Sequence, residues 1–148
     1  MSWVRVYIHM VFSTKNRAPF LNSSELRKQV FQHIKENAAE KGIWLDCVNG
    51  YQDHAHCLIS IGREQSISKV AQLIKGESSY WINKNNLTIQ KFYWQDDYWA
   101  VGVSEGALKS VRKYIHNQEV HHSKKSFNTE IKIFMEEHGW YFTQKKET

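Results

Sequence analysis

The chain begins with strict alternation: Val4, Val6, Ile8, Met10 and Phe12 fall on one side of a two-residue period, and Arg5, Tyr7 and His9 on the other. This predicts a strand over Trp3 to Ser13 with one face turned to a core. From Asn22 to Lys41 the period lengthens to that of a helix. Leu26, Val30, Ile34 and Ala38 make an apolar stripe, Asn22 caps it with Glu25 three residues on, and Gly42 ends it. Two more strands, Ile43 to Gly50 and His54 to Gly62, flank a short turn at Tyr51 to Asp53 and predict an antiparallel hairpin. In the second of them Ala55, Cys57, Ile59 and Ile61 share the core face, so His54, His56 and Ser60 share the opposite one.

Ser66 to about Asn83 predicts a second long helix, with Ile67, Val70, Ala71, Ile74 and Trp81 on its inner side. Phe92 to Val103 has the aromatic and β-branched content of a strand, interrupted near Asp96 and Asp97. Ser104 is placed to cap a helix running through Gln118, and Thr129 to His138 predicts a shorter one stopped by Gly139. No repeat or linker divides the sequence, so one domain over residues 1–148 is expected. The order β-α-β-β-α-β followed by helices gives an α+β fold of ferredoxin-like or RRM-like type. Two helices would cover one face of an antiparallel sheet, leaving the other free for chemistry beside the C-terminal helices that carry Tyr114.

A net charge of +5 and a pI near 9.2 incline the chain to anionic partners without fixing which. Six Trp and seven Tyr suit base stacking as well as core and dimer-interface packing. Cys47 and Cys57 make no CxxC pair, no secretory segment precedes Trp3, and no apolar run reaches the roughly 18 residues of a membrane span. A cytoplasmic protein with no membrane partner is the expectation.

Two short constellations carry chemistry. The imidazoles of His54 and His56 sit at i and i+2 of one strand, project the same way and begin roughly 6 to 7 Å apart, a spacing from which two ligands converge on one ion. Ala55, Cys57, Ile59 and Ile61 behind them form a rigid platform. By itself such a triplet also fits surface or hydrogen-bonded histidines. Tyr114 and Gln118, at i and i+4 of a helix, present a phenol and an amide on one face. A half-buried packing tyrosine would look the same.

Asp53 to Ile59, followed by Tyr114-x-x-x-Gln118, resembles the single-tyrosine HUH transposases, the insertion-sequence type that moves as single-stranded DNA, together with relatives associated with repetitive extragenic palindromes. The likeness extends to His9 through Arg17, Ile74-Lys75-Gly76, Trp94 through Tyr98 and Gln118 through His122, in order over nearly the whole chain. One departure is Ala55, where a larger apolar residue is usual; it keeps the core-facing position, so the ligand geometry stands.

The resemblance implies that His54, His56 and Gln118 bind Mg2+ or Mn2+ and that Tyr114 displaces a 3′ oxygen at phosphorus, giving a 5′-phosphotyrosine and a free 3′-OH. It implies single-stranded DNA with hairpin ends as substrate, and a homodimer in which the tyrosine helix of one subunit completes the metal site of the other. Arg5, Lys15, Arg17, Lys75, Lys124 and Lys125 are the basic residues expected near phosphates. His121 and His122 follow the tyrosine helix, near substrate or in structural hydrogen bonds. Trp94 and Tyr98 could stack on bases or pack in the core, and His116 lies off the Tyr114 face, exposed or at a dimer contact.

Two rivals share the pattern. A non-catalytic nucleic-acid binder on the same sheet fits the charge but leaves His54, His56 and Gln118 without a job. A zinc hydrolase would use three ligands, although a glutamine amide suits zinc poorly.

Overall fold

Strand β1, Val6–Ser13, lies between two antiparallel neighbours in a four-stranded sheet. The computed structural model of the chain describes residues 2–122 and 126–137, without the side chains of His121 and Phe134. Ile8, Met10 and Phe12 enter the main core as their alternation requires. Trp3, Val4 and Val6 instead stay exposed, because Val6 pairs with Ile61, the last residue of its neighbour, and the sheet ends there.

Helix α1, Ser24–Glu40, starts one residue later than expected: Ser23 rather than Asn22 is the cap, its hydroxyl accepting from Leu26 N at 3.1 Å. It buries Val30, Phe31, Ile34 and Ala38. Gly42, with φ of +73°, supplies the left-handed turn that releases the chain into β2. Strands β2, Trp44–Tyr51, and β3, His54–Ile61, form the expected hairpin around Gln52 and Asp53. Gly50 is needed there, since a Cβ on it would sit 2.1 Å from the His54 carbonyl oxygen. Helix α2, Ile67–Lys84, is capped by Ser66 and buries Val70, Ala71, Ile74 and Ile82.

The last strand is shorter than expected: β4 spans Trp99–Val103, and Phe92 to Tyr98 are outside it. Phe92 N donates to the Asn83 side chain, and Trp94 joins the sheet only through a lone bridge to Thr14. Side-chain partners thus take the place of a ladder along this stretch. The sheet order is β2-β3-β1-β4, the ferredoxin-like arrangement. Together α1, α2 and the inward residues of the sheet make one apolar cluster.

The opposite face is covered rather than open. Helix α3, Leu108–His116, sets Leu108 and Ile115 against Cys47 and Leu58. The helix expected to run on through Gln118 breaks at Asn117, and a short α4, Gln118–His122, follows. Asn49 on β2 holds that break, its side-chain amide donating to the Ile115 and His116 carbonyls at 3.0 and 3.1 Å. Arg112 grips Asp46 on β2 at 2.8 and 2.9 Å, and Arg27 on α1 grips Glu119 on α4 at 2.7 and 3.1 Å. Helix α5, Phe127–Glu137, lays Phe127, Ile131 and Met135 on Val11. The expected stop at Gly139, with His138, lies outside the described residues.

Candidate active site and metal centre

His54 and His56 project from β3 into the layer beneath α3 to α5, and both are buried, as is Gln118. Each ring is oriented from behind. His54 Nδ1 donates to Asp53 Oδ1 at 2.9 Å, and His56 Nδ1 pairs with His9 Nε2 at 2.9 Å. Both Nε2 atoms therefore face the helices. His54 Nε2 lies 3.1 Å from Gln118 Oε1, while the amide nitrogen of Gln118 donates to the Tyr114 carbonyl at 3.3 Å.

Tyr114 reaches the same spot from the end of α3. Its ring is edge-on to His56 with centroids 5.5 Å apart, and its hydroxyl donates to Glu130 Oε2. The tyrosine, the glutamine and the two histidines are thus gathered by one chain. A partner subunit is not required to bring these four together, whatever assembly the protein adopts.

Three residues beyond the expected set join them. Glu130 of α5 places Oε1 2.9 Å from His122 Nε2, 3.3 Å from His56 Nε2 and 3.4 Å from His54 Nε2. Burial pushes its carboxyl up to about 7, opposed by the charge of His54 and assisted by Asp53. His122, stacked on Tyr51 at 5.6 Å, is a member of the site, in keeping with the hydrogen-bonding role foreseen for it. His9 supports His56 from β1. One signal for Glu130 existed: it falls on the stripe Phe127, Ile131, Met135, where a lone acid on an apolar face needs a partner.

The donor chemistry fits a divalent cation. With the Nδ1 hydrogen of His54 given to Asp53, its Nε2 presents a lone pair to the amide oxygen of Gln118. Two acceptors so close need either a proton on the imidazole nitrogen or a metal cation between them. His54, His56, His122 and Glu130 each offer a ligand atom within 4.8 Å of the others.

The basic residues are not collected in one patch. Lys15 and Arg17 are exposed just beyond β1, at the His54 end of the sheet, where Thr14 N donates to the Asp53 carbonyl at 2.8 Å. Arg5 stands at the opposite end, 3.4 Å from Glu105. Lys75 is on α2, below the other face, with its ammonium turned to the Asp96 and Asp97 carbonyls at 2.8 and 3.4 Å. Lys124 and Lys125 lie outside the described residues, as does the His121 side chain. Trp94 belongs to the core, its indole N–H donating to Ser78 Oγ at 2.9 Å, and Tyr98 packs against that core. His116 is exposed, and both cysteines are free and buried. Among the described residues no helix is long and apolar enough to cross a membrane.

The family model described as "Transposase IS200 like" matches residues 2–118. Among solved structures, a presumed transposase of Deinococcus radiodurans R1 superposes with a TM-score of 0.63 at 21% identity, over 79% of this chain and 93% of that one. A REP-associated tyrosine transposase bound to a REP hairpin superposes with a TM-score of 0.56 at 14% identity, over 86% of this chain and 73% of that one. No curated protein sequence matches the chain.

Proposed function

The chain belongs to the family of IS200-like transposases, and we propose that it cleaves and rejoins single-stranded DNA with Tyr114 as the nucleophile, residues 1–148 acting as a single transposase catalytic domain. The observation that carries this reading is the convergence of Tyr114 and Gln118 on the buried His54 and His56. Residues more than fifty positions apart meet in one water-poor site, in an arrangement that core packing does not require.

His54, His56 and Gln118 would hold Mg2+ or Mn2+. Bound there, a divalent cation offsets the charge that builds on the phosphoryl oxygens and favours the phenolate of a neighbouring tyrosine, whose free pKa is about 10. The chain's own residues supply position. Glu130 aims the Tyr114 hydroxyl through its hydrogen bond, and the closing of α3 and α5 over the sheet excludes bulk water. In the step itself the Tyr114 oxygen forms a bond to phosphorus, the bond from phosphorus to the 3′ oxygen breaks, and the phenol's proton is accounted for in the 3′-OH product. Attack of another 3′-OH on the 5′-phosphotyrosine reverses the process, so strands are joined without ATP.

Hairpin-ended single strands are the proposed substrate, in keeping with the hairpin bound by the REP-associated relative. Lys15 and Arg17, at the His54 end of the sheet, are the best-placed of the expected phosphate contacts, with Arg5, Lys75, Lys124 and Lys125 as outlying ones. The proposed assembly is a homodimer; with the four residues gathered as they are, each subunit would carry a whole site.

The test is a denaturing gel of the protein mixed with Mn2+ and end-labelled single-stranded DNA taken from either side of its gene. A covalent protein–DNA band that Tyr114→Phe abolishes is expected. Specific binding without any band for the unaltered protein would favour a non-catalytic nucleic-acid binder instead.

A further inference from the structure

Glu130 and His122 extend the donor set beyond the three ligands proposed above. Glu130 Oε1 meets three imidazole nitrogens near the spacing of donors around one ion, and the four ligand atoms of His54, His56, His122 and Glu130 all lie within 4.8 Å of one another. Donors held at about 2.0 to 2.1 Å on a tetrahedral cation stand about 3.3 Å apart. Glu130 Oε1 lies 2.9, 3.3 and 3.4 Å from the Nε2 atoms of His122, His56 and His54. Orientation is fixed in advance as well: Asp53 and His9 hold the far nitrogens of His54 and His56, the outer-shell arrangement of histidine metal ligands. His122 is held by its stack on Tyr51 and its edge contact with His54, at centroid distances of 5.6 and 4.4 Å.

We propose that in the DNA-free protein the cation is held by His54, His56, His122 and Glu130, with Gln118 as an exchangeable further donor, so that the ion is a clasp joining β3 to α4 and α5. This deepens the reading above and rests on it for the identity of the site. The chemistry sets the cation class. Three imidazoles and one carboxylate suit Zn2+, Co2+ or Mn2+, whereas Mg2+ favours oxygen donors and keeps its waters. The two oxygens of Glu130 divide the work, Oε1 facing the nitrogens and Oε2 the Tyr114 hydroxyl. The clasp therefore also fixes the attacking group.

The experiment is a titration of the metal-free full chain with Co2+, followed by its visible absorption, with Zn2+ and Mg2+ as competitors. One equivalent of Co2+ should bind with the strong bands of a low-coordinate site, Zn2+ should displace it, and Mg2+ in large excess should not. Glu130→Gln and His122→Asn should each weaken Co2+ binding about tenfold or more, and Gln118→Ala less. Unaltered affinity and spectrum in both Glu130→Gln and His122→Asn would overturn the clasp, while a Tyr114-dependent adduct in Mn2+ would still uphold the transposase reading. Absence of Co2+ binding by the unaltered chain would overturn the clasp as well. Should the variants fail to fold, hydrogen exchange of the unaltered chain decides: slower exchange in α5 on adding Zn2+ supports the clasp, and exchange indifferent to Zn2+ overturns it.

Discussion

Beneath α1 and α2 the sheet offers Ile8, Met10, Phe12, Ala55, Cys57 and Ile59, and contact is made by close packing of apolar side chains. Beneath α3 to α5 the intervening residues His9, His54 and His56 meet Gln118, His122 and Glu130 through directional polar contacts. Packing tolerates small adjustments and needs only the right volume. A buried polar network has no such latitude, since every nitrogen and oxygen left unpaired carries a desolvation cost. One layer can therefore set the fold while the other specifies a single arrangement of reactive groups, and adjacent residues of one strand serve both.

The sharpest way to break this contrast is to damage each face in turn. Phe12→Ala should cost about 3 to 5 kcal/mol in urea unfolding while leaving residual cleavage in the folded fraction. His56→Ala should cost only about 1 to 3 kcal/mol yet reduce adduct formation far more, below detection in the same gel. Equal losses of stability and of cleavage in the two variants would remove the distinction.

A milder perturbation sits where the faces share a backbone. Gly50→Ala places a methyl group against the His54 carbonyl, so β3 must shift. About 1 to 3 kcal/mol of stability should be lost, and adduct formation should slow by about 10²-fold although no donor atom is removed. An unchanged rate would show that the hairpin does not set the position of His54.

The smallest effect concerns the docking of α3. The Arg112 guanidinium bonds Asp46 and holds its carboxyl below the usual range, opposed in part by burial. A carboxyl depressed on folding adds stability above its unfolded value of about 4 and loses it as pH falls through the folded one. Asp46→Asn should thus be slightly less stable than the unaltered chain near pH 7, and the gap should close below about pH 4. A gap that persists at low pH would assign the difference to packing instead.

Much of the apolar face was legible in sequence, because period alone decides it. Alternation in β1 and β3 and the stripes of α1 and α2 each have one solution once a side must be buried. The pairing of His54 with His56 followed from the same rule, and Tyr114 with Gln118 from resemblance and helical spacing. The polar face was harder to read. Glu130 meets His56 across 74 positions of sequence, a distance no local pattern spans. The break at Asn117 depends on the Asn49 amide taking the carbonyls at the end of α3, which the helix signal of residues 104–118 does not reveal. Phe92 to Tyr98 had strand composition, but Asn83 and Thr14 took partners that a ladder would have used.

The central claim is that the phenol of Tyr114, fixed between β3 and α5, is the atom that joins DNA. Mass spectrometry of the purified adduct tests it most directly, after nuclease trimming and proteolysis. A nucleotide 5′-phosphate mass is expected on the peptide that contains Tyr114, with fragment ions locating it on that residue. The same mass on any other tyrosine, or on a histidine of the cluster, would contradict it.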